Sequence, residues 1–148
     1  MALSIKPYIE NKERIHLIGI GGVSMNSLGE LLLSRGVPIS GSDRLRTDVT
    51  ARLEALGAKI TYEHKPENVE GASLIVRTAA VHDDNPEIVR AHELGIPVME
   101  RAEAWGHLMR DYDNVVCLAG THGKTTSTSM MTLMTMEAQM DPTVMVGS

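Results

Sequence analysis

Ile15-His16-Leu17-Ile18 runs into Gly19-Ile20-Gly21-Gly22-Val23-Ser24-Met25, and then into a stretch whose Leu28, Leu31 and Leu32 share one helical face. An apolar strand, a glycine turn and an amphipathic helix in immediate succession open a strand-helix-strand unit. Glycine in such a turn lets the backbone approach a pyrophosphate, while the open amides and dipole of the helix start attract its negative charge. The usual dinucleotide pattern has a third glycine where this chain has Ser24, whose hydroxymethyl group either loosens helix-sheet packing or adds a hydrogen bond to phosphate. After the next strand, Ser40-Gly41-Ser42-Asp43 places an acid where such folds bind a ribose hydroxyl. A ligand-free tight connection and a nicotinamide-binding turn are alternatives. Two adjacent glycines followed by Asp43 are hard to explain by packing alone, and a nucleotide other than a nicotinamide cofactor is the leading reading.

Outward from this turn, short apolar runs alternate with segments of helical period, the pattern of a parallel sheet with flanking helices. The expected strands are Ile15–Ile18, Val37–Ser40, Lys59–Tyr62, Leu74–Arg77, Pro97–Glu100 and Val115–Ala119. Helices are expected over Ser24–Ser34, Asp48–Leu56, Pro86–Leu94, Ala102–Met109 and Lys124–Gln139. Gly36, Gly57 and Gly95 stand where left-handed residues end helices, and Pro86 stands at a helix start. The polar stretch from Arg110 to Asn114 is the one convincing linker, which divides the chain into residues 1–110 and 111–148. The fold class is therefore α/β: a Rossmann-like parallel sheet, followed by the first strand, loop and helix of a P-loop domain.

The second loop lies just past that linker. Val115–Ala119 leads into Gly120-Thr121-His122-Gly123-Lys124-Thr125-Thr126 and a helix. Successive amides can surround a triphosphate, Lys124 can neutralise its outer phosphates, and the Thr125 hydroxyl can complete the shell of a magnesium ion. The common P-loop has its first glycine at the place of Leu118, so this is a shorter variant that begins at Gly120.

These residues resemble the Mur ligases, which assemble the peptide of bacterial peptidoglycan and whose ATP loop reads Gly-Thr-X-Gly-Lys-Thr. Asn85-Pro86-Glu87, Arg101-Ala102-Glu103 and Asp141-Pro142-Thr143 are similar to family motifs, and the likeness runs from about Ile15 to Gly147. Ser24 and Thr78-Ala79-Ala80 depart from the family's frequent glycine and Ser-Ser-Ala. The resemblance implies an ATP-dependent amide synthesis. The carboxylate of UDP-N-acetylmuramate would take the terminal phosphate of ATP, and the amine of L-alanine would attack the acyl phosphate. Carried over by position, Gly19, Gly21, Gly22, Val23, Ser24 and Met25 would hold the UDP diphosphate, with Ser42, Asp43, Thr78 and Ala79 lining the same site. Gly120, Thr121, His122, Gly123, Lys124, Thr125 and Thr126 would hold ATP. Lys124 and Thr125 would serve the phosphoryl transfer, Thr125 as a magnesium ligand. By the same resemblance, most of the ATP domain and the whole amino-acid domain lie beyond Ser148, so this chain alone is expected to be inactive as a ligase.

Bulk properties fit a cytoplasmic protein that folds. Hydrophobic residues are 43% and charged residues 22% of 148, near globular averages. A net charge of -5 provides no general basic surface for nucleic acid. No apolar run is long enough to cross a bilayer, and Met1 to Glu13 carries charges where a signal peptide is apolar. The single cysteine, Cys117, is expected to be a buried strand thiol. Met130, Met131, Met134, Met136 and Met140 are expected to fill a core, with part of their helix exposed. Trp105 is read as a packing anchor. Among the histidines, which show no metal spacing, His64 and His82 follow strands at the expected binding edge.

Overall fold

The strand that begins the glycine turn is the middle of the sheet. The computed structural model describes residues 3–146. In it β1 (Ile15–Ile18) pairs in parallel with β2 (Ile39–Ser42) on one side and β4 (Leu74–Arg77) on the other, with Ile15 opposite both Ile39 and Leu74. β3 (Lys59–Thr61) and β5 (Val98–Glu100) close the two ends, giving the all-parallel order β3-β2-β1-β4-β5. All four β1 residues are buried, because helices cover both faces, and a strand in that position reads as a continuous apolar run.

The chain winds in both directions from β1. α2 (Val23–Ser34) and α3 (Asp48–Ala55) follow β1 and β2 and pack on one face, together with α1 (Lys6–Glu10) and α5 (Arg101–Met109). Their core holds Leu17, Met25, Leu28, Leu32, Leu53 and Leu108. α4 (Pro86–Glu93) and a 3-10 turn, Pro66–Val69, cover the opposite face through Ile18, Val69, Ile75 and Ile88. Right-handed crossovers running in opposite directions must place their helices on opposite faces, so the order reverses between β1 and β4. That reversal leaves a crevice at the carboxyl ends of these two strands.

Five helices and most strands stand within a few residues of their expected places, and Gly36, Gly57 and Gly95 take φ of 74°, 108° and 69° after their helices. β2 is displaced to Ile39–Ser42 from the expected Val37–Ser40. Apolar patterning misplaced it because its inward polar residues are satisfied: Ser40 Oγ bonds His16 Nδ1 at 3.0 Å, and Ser42 Oγ donates to Glu87 Oε2 at 2.7 Å. Gly41 between them admits no side chain, since a Cβ would stand 2.8 Å from the Leu17 carbonyl oxygen. α1 was not expected; its Ile5 and Ile9 face the core at helical spacing.

The chain divides into two compact units, Met1–Tyr112 and Asp113–Ser148. In the second, Val115–Ala119 is not a strand, and Cys117 is exposed rather than buried. A strand needs a hydrogen-bonding neighbour, and among the described residues this unit has none. α6 (Lys124–Glu137) forms as expected but buries no residue, and Met130, Met134 and Met136 are all exposed rather than packed in a core. Among the described residues no helix is long and apolar enough to cross a membrane.

Candidate functional site

The glycine turn is held from beneath by the end of β2. Gly19 N–H and Ile20 N–H both donate to the Ser42 carbonyl, at 2.8 and 3.1 Å. Gly21 N–H donates to Asp43 Oδ2 at 2.8 Å, and Gly22 N–H turns back to the Gly19 carbonyl at 3.1 Å. Asp43 is locked in turn, because its Oδ1 accepts from the Arg44 amide at 2.7 Å. The four amides from Gly19 to Gly22 are thus consumed inside the protein. The glycines shape the turn, and the Val23 amide opens α2 beyond them. Gly22 is the N-cap of that helix and supplies no capping side chain, so the helix start keeps the orphan donors and positive dipole end that bind phosphate.

The other wall of the crevice is the turn after β4. Gly19 takes φ +79°, and a Cβ there would lie 4.0 Å from Thr78 Cγ2, so Thr78 faces the glycine turn directly. Ala79 beside it is exposed. Arg77 pins this turn: its Nη1 donates to the Val81 carbonyl at 3.3 Å, its Nε to Glu100 Oε1 at 2.9 Å, and it pairs with Asp83. Asp83, and then Glu100, hold the guanidinium above its ordinary pKa against the opposing effect of burial.

The structure therefore gathers Gly19, Gly21, Gly22, Val23, Ser42, Asp43, Thr78 and Ala79 around one crevice, but in differing roles. The Met25 side chain is buried in the core, which leaves only its backbone to face a ligand. The Ser24 carbonyl accepts from Trp105 Nε1 at 3.3 Å, and Trp105 packs half-buried against the core. Ser42 turns its hydroxyl away from the turn toward Glu87. Asp43, expected to meet a ribose, already serves the Gly21 amide.

A buried polar cluster behind the crevice was missed from the sequence. Glu87, with no exposure at all, accepts from His16 Nε2 at 3.2 Å, Asn68 Nδ2 at 2.7 Å, His64 Nδ1 at 2.7 Å and Ser42 Oγ at 2.7 Å. Burial opposes its charge, but hydrogen bonds from His16, Asn68, His64 and Ser42 outweigh this and hold the carboxyl below the usual carboxylate range. The signal was present in His16, a polar residue inside an otherwise apolar strand, which must have a buried partner.

In the second unit, Gly120 to Thr126 are exposed. Gly123 caps α6 in the left-handed region, φ 76°, without a side-chain cap, and Lys124 Nζ donates to the Gly120 carbonyl at 2.8 Å. An uncapped helix start with a lysine folded over it fits an anionic phosphate chain. Among the described residues no group of three or more His, Cys, Asp or Glu is placed to hold a metal ion.

A glycine turn and a bare helix start at the reversal point define a doubly wound α/β protein of the kind that places ligands at that point. Comparison with known proteins narrows that class. The model of the Mur ligase family, catalytic domain, matches residues 14–113, and the chain belongs to the Mur ligase family. It is 46% identical over 138 residues to UDP-N-acetylmuramate--L-alanine ligase of Clostridium novyi, covering 93% of this chain and 30% of that protein. It is 49% identical over 141 residues to the protein of the same name from Clostridium botulinum (strain Okra), covering 95% and 31%. The crystal structure of UDP-N-acetylmuramate-alanine ligase from Thermotoga maritima superposes with a TM-score of 0.86 at 36% identity, over 91% of this chain and 32% of that one. A UDP-N-acetylmuramate:L-alanyl-gamma-D-glutamyl-meso-diaminopimelate ligase from Neisseria meningitides gives 0.84 at 26% identity, over 92% and 43%. The chain spans about 30% of the length of the alanine ligases it matches.

Proposed function

We propose that this chain is the sugar-nucleotide-binding portion of an ATP-dependent ligase that joins the carboxylate of UDP-N-acetylmuramate to L-alanine in peptidoglycan synthesis. The observation that carries this reading is the crevice at the sheet reversal, where the glycine turn that leads into the uncapped start of α2 lies beside Thr78. It occurs in a chain 46 to 49% identical to proteins named for that reaction. The diphosphate would lie on the α2 amides, the nucleoside toward the end of β2, and the sugar acid toward the Thr78–Ala79 turn. Residues 1–110 would form this sugar-nucleotide domain, and residues 111–148 the beginning of the ATP domain.

The chemistry follows from what a carboxylate lacks. It is a poor electrophile, so its oxygen would first take the terminal phosphoryl group of ATP. The amine of L-alanine would then form the amide and expel phosphate. Here Gly120 to Lys124 would embrace the phosphates, Lys124 balancing charge as the phosphoryl group moves, and Thr125 would help hold a magnesium ion that offsets phosphate charge. The cytoplasm is where these soluble nucleotides would be met.

The test is calorimetric titration of the chain with UDP-N-acetylmuramate, UDP and NADH. Binding of the first two without the third supports the reading. Binding of NADH alone would replace it with a nicotinamide-dependent one. A second reading, a ligase that adds a preformed peptide to the same sugar nucleotide, is favoured by the Neisseria structure. Amine-dependent phosphate release by the extended enzyme, with L-alanine or with peptide, separates the two.

A further inference from the structure

Glu87 lies outside the glycine turn and the α2 start, yet it links β1, β2 and the 3-10 turn to His64 after β3. Its Oε1 accepts from His16 and Asn68, and its Oε2 from Ser42 and His64. A carboxylate only accepts, so His64 Nδ1 carries its hydrogen, and in the neutral imidazole Nε2 is left with a lone pair. His64 differs from His16 in being reachable, with its side chain 20% exposed against 1%. It follows β3 at the carboxyl edge of the sheet, where its Nδ1 also stands 3.2 Å from Ser42 Oγ, one residue from Asp43. Its Nε2 has no hydrogen-bond partner among the described residues and is not among the sealed polar atoms.

We propose that His64 Nε2 is an acceptor that recognises an O–H or N–H donor on the nucleoside of the ligand, and that Glu87 is the positioning residue that fixes this atom as an acceptor. The assignment rests on the crevice being the sugar-nucleotide site. The donor is either the ribose 2′-hydroxyl or the N3–H of the base.

Replacing Glu87 by glutamine separates geometry from protonation. Asn68 Nδ2 also donates to the Glu63 carbonyl at 2.8 Å, which keeps that amide a donor toward Oε1. The glutamine nitrogen must therefore take the place of Oε2, facing Ser42 Oγ and His64 Nδ1. The serine hydroxyl can rotate, but the imidazole has to change tautomer, so Nε2 becomes a donor. The side chain keeps its shape while the group offered to the ligand reverses.

The experiment uses the 148-residue chain at pH 8. Long-range nitrogen-15 spectra of the ligand-free protein should show His64 protonated on Nδ1, and on Nε2 in Glu87→Gln. In calorimetry with UDP, His64→Ala should weaken binding about three- to tenfold, the loss of one neutral hydrogen bond. Glu87→Gln should weaken it further, and adding His64→Ala to Glu87→Gln should bring affinity back to that of His64→Ala alone. Of 2′-deoxy-UDP and N3-methyl-UDP, the analogue that the parent and His64→Ala bind equally identifies the donor. A parent His64 protonated on Nε2, equal binding of UDP by parent and His64→Ala, or indifference of both analogues to His64 overturns the proposal. If the parent binds neither UDP nor UDP-N-acetylmuramate, the function proposed above falls with it. Should Glu87→Gln not fold, the parent spectrum and His64→Ala still decide.

Discussion

Gly21→Ala should damage the nucleotide site by displacing Asp43. An alanine Cβ at this position would stand 2.9 Å from Asp43 Oδ2 and 3.1 Å from Thr50 Cγ2. Thr50 is fully buried and cannot yield, because its hydroxyl closes the capping box of α3 with Thr47. Asp43 must withdraw instead, which breaks its 2.8 Å bond from the Gly21 amide and disturbs the bond from Arg44. A hydrogen bond to a charged group contributes about 1.5 to 3 kcal/mol. If that amount is lost from the formed turn, its population falls, and the apparent affinity falls by about 10- to 150-fold. Calorimetric titration with UDP-N-acetylmuramate, beside urea unfolding, measures both consequences. Asp43→Asn is the control, since it keeps an acceptor and the side-chain shape and should lose less than Gly21→Ala. Affinity and unfolding midpoint both equal to the parent's in Gly21→Ala would refute the reasoning, because the turn would then not depend on Asp43.

Three other outcomes follow from packing and titration. Gly41→Ala should destabilise the protein by about 1 to 3 kcal/mol in urea unfolding, because its Cβ would lie 2.6 Å from Ile20 Cδ1 and 2.8 Å from the backbone oxygen of Leu17 in the central strand; an unchanged midpoint would count against the strand register. Glu87 titrates below its ordinary 4.5 when folded, so its contribution to stability is complete above about pH 4.5 and is lost as pH falls through the lower, folded value. Stability measured between neutral and acid pH should show that decline in the parent and lack it in Glu87→Gln, and parallel curves would contradict the assignment. Cys117 is exposed, so a thiol reagent should modify the native chain about as fast as the urea-unfolded one; marked protection in the native state would show that residues 115–119 are covered.

The sequence alone determined the order and kind of five helices and five strands, but not α1, the 3-10 turn or the fate of Val115–Ala119, because apolar period, helix-stopping glycines and Pro86 are local signals that depend on few neighbours. Ile15–Ile18 and Leu74–Arg77 were legible to the residue, since strands buried on both faces read as continuous apolar runs. The two glycine-rich loops were legible for the same reason: each lies between a local apolar run and a local helix. Tertiary structure decided what distance along the chain concealed. β2 begins at Ile39 and carries buried serines because His16 and Glu87, 24 and 45 residues away from Ser40 and Ser42, satisfy them. Asp43 serves the Gly21 amide, 22 residues before it. Glu87 draws its donors from β1, β2, the segment after β3 and the 3-10 turn, a convergence no window of sequence contains. Val115–Ala119 marks the opposite limit: its residues have strand preference, but a strand exists only where another backbone accepts its hydrogen bonds, and none of the described residues of its unit does so.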